Sequence, residues 1–510
     1  MRFGGFFVLL LLAGVVAGSH PEVSEYEQYA HELLKELIET DTTHSSGNTL
    51  ALAESIAARL KSEGVPAKDI HVIEHGGKGN VVARLRADKP VGKPLLLLAH
   101  LDVVEADIAD WSMDPKKLTE EGGYFYGRGT LDDKNEVAIH LSNFIRLHRE
   151  RANLTRDLVI ALTADEESGP HNGALYLVRE HPELVDAALV FNEGGGGMIK
   201  DGKYVANTVQ AAEKTYQTFS LEITNAGGHS AVPRGDNAIY QLAAALTRIE
   251  AFEFPVRFNQ TTRAYFAGIA GQSSGDRAAL LYGLLEEPPA MMSIDYFRDE
   301  PEINARLRTT CVATQLDAGH AENALPQRAS ATVNCRVFPG ESVKQVREVL
   351  FKVAGIPSMT LTPKWDALFS EASPLDDTIM APIREITRAM WPGALVLPTM
   401  STGATDATFF RNAGVPVYGV SGVFTEFGDN RIHGRDERLL KRSFYEGLEF
   451  LYRLTRAVVV LKKVVLKKVV LKKVVLKEVV LKEVVLKEVV SKEVVSKEVV
   501  LKDLPAPPSK

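Results

Sequence analysis

Acidic and imidazole side chains recur in this chain directly after apolar runs, and their types and spacing suit a bound cation. The run Leu95-Leu96-Leu97-Leu98-Ala99 is followed by His100 and Asp102. On an extended chain, residues two apart point to the same side. One of the pair can therefore ligate a metal while the other hydrogen-bonds the second ring nitrogen and holds the imidazole in place. Farther on come Gly127-Arg128-Gly129-Thr130-Leu131-Asp132-Asp133-Lys134, then Ala164-Asp165-Glu166-Glu167-Ser168-Gly169, then Phe191-Asn192-Glu193-Gly194-Gly195. Adjacent carboxylates such as Glu166 and Glu167 repel unless a cation or a shared proton relieves them. A metal relieves one and leaves the other free as a base. By themselves these residues point to a metal and leave the reaction open. The chain has two cysteines, too few for a thiolate zinc site, so any metal must be held by His and carboxylates. A dinucleotide-binding reading of Gly127-x-Gly129 fails, because Asp132 stands where the third glycine belongs and would repel a pyrophosphate.

Such ligands need strand ends to carry them, and the pattern supplies these. Val81–Leu85, Leu95–Ala99, Asp157–Thr163 and Ala187–Phe191 read as strands, the second apolar throughout as in a sheet covered on both faces. Helical spacing appears over about Tyr26–Glu63 (two helices), Asn135–Arg149 and Gly173–His181. Strands alternating with helices predict an α/β sheet, and ligands in such sheets gather at strand ends. After Glu213 the character changes. Thr215–Thr224 alternates like a half-buried antiparallel strand, Asn237–Ala251 is helical, and Ala329–Val337, Val343–Val353 and Met359–Lys364 read as strand, helix and strand. Residues 258–308 read as a long decoration of this second unit. The α/β pattern resumes with the helix Ile379–Met390 and the strand Val415–Val420. The expected architecture is an α/β catalytic domain with a central mixed sheet (20–212 and 367–458), interrupted by an inserted α+β, ferredoxin-like lid or dimerisation domain (213–366).

At 510 residues the chain is expected to form at least two cores, and its 45% hydrophobic and 25% charged residues are those of a soluble globular protein. The net charge of -7, with lysine in excess in the last stretch, makes the body acidic and excludes nucleic acid as its partner. Met1-Arg2-Phe3, an apolar run to Val16 and small residues Ala17-Gly18-Ser19 have the layout of a secretory leader over 1–19, predicting export. The run falls short of the roughly 18 residues that mark a spanning helix. In an oxidising compartment Cys311 and Cys335 can form a bridge, though spacing alone does not show that they meet. From 459 to 510 the chain becomes a five-residue repeat, Val-Val-Leu-Lys-Lys drifting to Val-Val-Ser-Lys-Glu, about nine copies long. Successive copies turn by about 140° on a helix and change faces on a strand, so no single apolar stripe forms. This tail is read as a repeat expansion with no catalytic role.

The segments LLLLAHLDVV, YGRGTLDDK, TADEESG, FNEGG, AGGHSAVPRGDNAI, NALP, VNCRVFPGE, GATDATFFRNAGVPVYG and RIHGRDERL together resemble the zinc aminoacylase and carboxypeptidase family, which includes aminoacylases, glutamate carboxypeptidase and acetylornithine deacetylase. The Leu-Asp-Asp-Lys wording and the long insertion are most similar to its carboxypeptidase S and N-acyl amino acid hydrolase branch. The resemblance covers about Glu25 to Leu454. It implies two zinc ions, replaceable by cobalt or manganese. His100 and Glu193 would ligate one, Glu167 and His433 the other, and Asp132 would bridge them. Asp102 would steady His100, and Glu166 would be the general base. His229, from the inserted unit of a partner subunit, would stabilise the oxyanion, while Arg336 and Asn323 would grip a substrate carboxylate, with Gly403, Thr405 and Asp406 along the opposite wall. The implied substrate is a small peptide or N-acyl amino acid, and the inserted domain implies a homodimer. Asp133 stands where many relatives have a hydrophobic residue, which makes it the neighbouring alternative for the bridge, and Asn135 replaces a frequent Gly. The rivals are a catalytically silent scaffold that interacts through the tail and a two-metal hydrolase of another class, such as a phosphoesterase.

Overall fold

The computed structural model describes residues 24–460 apart from Ser46 and Ser168; the leader at 1–19 and the repeats beyond Val460 lie outside the described residues. A ten-stranded mixed sheet forms the centre. Its middle is parallel: Leu158–Thr163, Leu95–His100, Leu189–Asn192 and Val417–Gly419 lie side by side in that order. His100 is level with Thr163, and Leu97 with Phe191, so the chain leaves all three leading strands at one edge of the sheet. Every residue of Leu95–His100 is buried. The continuous leucine run therefore serves two cores at once, Leu95 and Leu97 facing one and Leu96 and Leu98 the other. Each such leucine contributes about 2 kcal/mol of apolar burial. Behind the sheet, the helix Lys134–Arg149 is buried at every position from Lys134 to Ile145, its N-terminus directed at the edge where Asp132 and Asp133 lie.

The inserted unit is a four-stranded antiparallel sheet in the order Thr310–Ala318, Arg328–Val337, Thr215–Thr224, Thr360–Pro363. Two amphipathic helices, Ala238–Glu250 and Val343–Ala354, close its core around Phe219, Leu221, Val333 and Leu350. Alternate residues of Arg328–Val337 are buried, as the period of two predicts. Cys311 and Cys335 sit directly opposite each other on neighbouring strands and form a disulfide, with Cα atoms 4.1 Å apart. The chain is thus an α/β domain built on a central mixed sheet, with an inserted α+β domain.

Residues 258–308 depart from the expected place. They form the helices Gln260–Gln272, Gly275–Leu284, Met291–Phe297 and Pro301–Leu307 around a core of their own. Gln260–Gln272 lies on the strand Leu395–Ser401, so the insertion decorates the central sheet as well. Gly268 permits that approach, since a Cβ there would stand 2.3 Å from Leu397 Cδ2. Strands Gly196–Lys200, Lys203–Glu213 and Leu395–Ser401, and the closing helix Lys441–Val459, were not expected. Glycines open the first, small residues weaken the apolar alternation of the second, and Pro398 argues against a strand in the third. Among the described residues no helix is long and apolar enough to cross a membrane.

Candidate metal centre

The parallel strands deliver their acids and imidazoles to one edge. His100 ends its strand buried, and its Nδ1 lies 3.0 Å from the backbone carbonyl oxygen of Asp102 and 3.7 Å from that residue's carboxylate. With Nδ1–H donating there, Nε2 is left to face the site, where it lies 3.0 Å from Asp132 Oδ1. The other oxygen of Asp132 lies 3.1 Å from His433 Nε2, and His433 Nε2 is also 3.0 Å from Glu167 Oε1. One carboxylate thus stands between two imidazoles, each presenting a ring nitrogen. Donor atoms of His100, Glu166 and Glu193, and likewise of His100, Asp132 and Glu167, all lie within 4.8 Å of one another. The neighbouring Asp133 is turned away, its carboxylate accepting from the His100 backbone N–H at 3.2 Å.

The electrostatics say that this cluster holds too many carboxylates for its protons. Burial, with Glu193 adding to it, pushes the Glu166 carboxyl well above the usual range. Burial and Asp132 do the same to Glu193. Burial alone would depress His100, but Asp132, Glu193 and Asp102 together hold it well above the ordinary imidazole value. Asp132 and Glu167 raise His433 to about 10. Burial would raise Asp132, and the two imidazoles instead lower it. Imidazolium protons do here what a divalent cation does better, which is to neutralise several oxygens at once.

Neighbouring chain holds these side chains in place. Asp102 accepts backbone N–H bonds from Glu166 and Glu167 at 3.2 and 3.1 Å, so it fixes the turn that carries both acids as well as sitting beside His100. His433 and Asp436 adopt left-handed backbone at φ 60° and 52°, conformations costing about 1–3 kcal/mol each that persist only where surroundings enforce them. Three contacts pin their loop: Ser112 N–H to Asp436 at 2.8 Å, Arg128 Nη2–H to the Gly434 carbonyl at 3.0 Å, and Arg431 Nη1–H to the Asp436 carbonyl at 3.2 Å. Glu437, fully buried, pairs with Arg128 and accepts the Leu131 backbone N–H at 2.7 Å. It therefore ties the Asp132 loop to the His433 loop across the whole inserted domain. The sequence reading missed Glu437, and no local signal marks a partner some three hundred residues away.

The remaining expected residues fall into two groups. Asp406 is buried and accepts from Thr163 Oγ1 at 3.0 Å and Asn172 Nδ2 at 2.6 Å. Thr405 donates to Glu213 at 2.9 Å and accepts from Asn192 at 3.3 Å, and the same Glu213 forms a buried ion pair with Arg411 at 3.0 Å. Both residues therefore brace strand ends, and Gly403 donates its N–H to Ser401 beside them. On the inserted unit, the segment Gly228–His229 pairs with Ala324–Leu325, which brings exposed His229 next to exposed Asn323. No hydrogen bond or ion pair among the described residues joins either to the acidic cluster. Arg336 lies 4.4 Å over the Tyr216 ring, which stacks on Trp365, and no carboxylate pairs with it among the described residues. Burial pushes its pKa down, as for a guanidinium lacking a partner.

Comparison with known proteins agrees with this geometry. Residues 96–457 match the model of peptidase family M20/M25/M40. The chain is 28% identical over 381 residues to human N-fatty-acyl-amino acid synthase/hydrolase PM20D1, covering 72% of this chain and 75% of that protein. It is 27% identical over 376 residues to probable carboxypeptidase S-like 2 of Dictyostelium discoideum, covering 71% of each. Its fold is that of an M20 family metallo-carboxypeptidase from Sulfolobus solfataricus, with a TM-score of 0.63, 18% identity, and coverage of 84% of this chain and 98% of that one. A dinuclear metal-binding M20 peptidase from Bacillus subtilis shares the fold at a TM-score of 0.54 and 14% identity, over 84% and 97% of the two chains. With His100, Asp132, Glu166, Glu167 and Glu193 gathered as metal-ligand candidates at one sheet edge, the chain belongs to peptidase family M20/M25/M40 and is a metallopeptidase or amidohydrolase of that family.

Proposed function

We propose that the protein hydrolyses the amide bond of N-acyl amino acids, or of small peptides, that carry a free C-terminal carboxylate, and that it does so at a centre of two zinc ions. The observation that carries this reading is the Asp132 carboxylate, whose two oxygens face His100 at 3.0 Å and His433 at 3.1 Å. The all-nitrogen-and-oxygen donor set suits zinc, with cobalt or manganese as substitutes. His100 and Glu193 would hold one ion, Glu167 and His433 the other, and Asp132 both. When bound, the ions supply a Lewis acid for the scissile carbonyl and a lowered pKa for the attacking water.

The chain's own residues then divide the work. Glu166, set by the turn that Asp102 holds, takes the proton of the attacking water and returns it to the leaving amine. Asp102 keeps the His100 tautomer and the Glu166 turn in place. Arg336, with no carboxylate partner among the described residues, receives the substrate carboxylate with Asn323, and His229, supplied by the inserted unit of a second copy, donates to the developing oxyanion. Thr405 and Asp406 support the opposite wall from behind. We also read residues 213–366 as the unit through which two copies pair, and residues 1–19 as an export leader. The name of the human relative supports N-acyl amino acids, and that of the Dictyostelium discoideum relative, a carboxypeptidase, supports peptides.

The test is a substrate panel with zinc-loaded full-length protein. N-acyl amino acids should be cleaved, their C-terminal amides should not, and phosphate monoesters should be inert. Turnover of phosphate esters without amide hydrolysis would replace this reading by that of a phosphoesterase.

A further inference from the structure

A groove of about 490 Å³ runs between the helical insertion and the catalytic sheet. Its floor is one face of the strands Lys203–Glu213 and Leu395–Ser401, which run parallel from Ala206 and Leu395 to Glu213 and Ser401 with one bulge between Thr399 and Met400. Six residue steps at about 3.3 Å make it about 20 Å long. Its roof is Tyr265 and Ile269 of Gln260–Gln272, with Glu302 and Arg306 of Pro301–Leu307.

The lining is polarised along that length. Gln210, Ser401 and Thr402 collect at one end together with Gly195, two residues beyond Glu193. Gln210 donates there to Glu213 at 3.3 Å, in the network that braces Thr405 and Asn192. Toward the far end the floor is apolar, made by Val205, Leu395 and Leu397 with Thr208 beside Leu397, and the roof adds Ile269, Gln272 and Ser273. Met198 and Val205 stay 37% and 36% exposed, apolar surface that no part of the described chain covers. The charged residues on the roof, Glu302 and Arg306, pair with each other at 3.6 Å, so the groove has no net charge to attract an ionic tail. Its volume is that of a small-molecule site.

We propose that this groove receives the acyl chain of the substrate, a long unbranched hydrocarbon, and that the helical insertion sets chain-length preference by roofing it. The inference rests on the amide-hydrolase reading above and adds the site of the acyl group. The polar end lies beside the Glu193 loop, where the amide must sit, and the apolar end is where the chain would lie.

The experiment uses zinc-loaded full-length protein with N-acetyl-, N-octanoyl- and N-oleoyl-phenylalanine, and metal-free protein with a fluorescent pyrenyl-acyl phenylalanine as a binding probe. KM should fall along the series. Ile269→Trp, and Val205→Trp at a half-exposed position where folding is not at risk, should each raise KM for the oleoyl substrate about tenfold more than for the acetyl one. That is the effect of withdrawing two methylene groups from an apolar site. Both should weaken probe binding by a similar factor. Acetyl hydrolysis with equal KM across the series, or with variants that shift all substrates alike, overturns the groove and leaves the hydrolase reading. Probe binding that depends on Ile269 and Val205, in a protein that cleaves none of the three, overturns the hydrolase reading and leaves the groove.

Discussion

Replacing Glu166 by Gln separates base from ligand. The substitution keeps side-chain volume and the backbone N–H that Asp102 accepts at 3.2 Å, so the turn carrying Glu167 stays in place. It removes the only change of protonation the proposal assigns to this residue. Loss of a positioned general base costs about 10²- to 10⁴-fold in rate, which is about 3–5 kcal/mol of transition-state stabilisation. The structure also poses the alternative, because Glu166 lies within ligating distance of His100 and Glu193. If Glu166 were a ligand, the amide would weaken one ion's hold. The assay therefore pairs kcat for an N-acyl amino acid with metal content by plasma mass spectrometry after gel filtration. The expected result is an unchanged zinc content with kcat down at least about 100-fold. Activity within tenfold of the parent, or loss of one zinc equivalent, would refute the assignment of Glu166 as a base held off the metals.

Arg336→Ala should raise KM for N-acyl amino acids about 10- to 100-fold, the worth of a hydrogen bond to a charged group, with little change in kcat; an equal KM for acid and C-terminal amide substrates in the parent enzyme would contradict this. Converting Cys311 and Cys335 to serine opens a loop of sequence separation 24 and should lower unfolding free energy by about 3 kcal/mol in urea titration. A midpoint that does not move would show that the bond constrains nothing. His140 is buried beside Glu136, 3.8 Å away, and burial lowers its pKa to about 3. Its folded value lies below its unfolded one, so between the two the unfolded chain binds the extra proton and stability falls as pH drops from about 6.5 toward 3. His140→Leu in metal-free protein should flatten that acid limb by about 3–5 kcal/mol; parallel stability curves for parent and variant would exclude His140 as its source.

Much of this site was legible in the sequence because strands with both faces buried are written as unbroken apolar runs. Leu95–Leu98 announces where a chain must emerge at a sheet edge, and His100 and Asp102 follow at once. The same holds for Glu166, Glu167 and Glu193. What was hidden depends on distance along the chain. Glu437 and Arg128 lock two loops separated by the entire insertion, and a buried ion pair of that kind leaves no periodic trace. The family resemblance implies a wall position for Asp406, yet its carboxylate is spent on Thr163 and Asn172. The helices of 258–308 were visible as a long interruption, but their docking on Leu395–Ser401 depends on a strand whose Pro398 disguises it.

Whether Asp132 joins two metal ions is read from anomalous diffraction at the zinc edge on crystals of zinc-loaded protein. Two anomalous peaks per chain are expected, one beside His100 and Glu193 and one beside Glu167 and His433, with the Asp132 carboxylate contacting both. A single peak, or a pair that Asp132 does not touch, would contradict it.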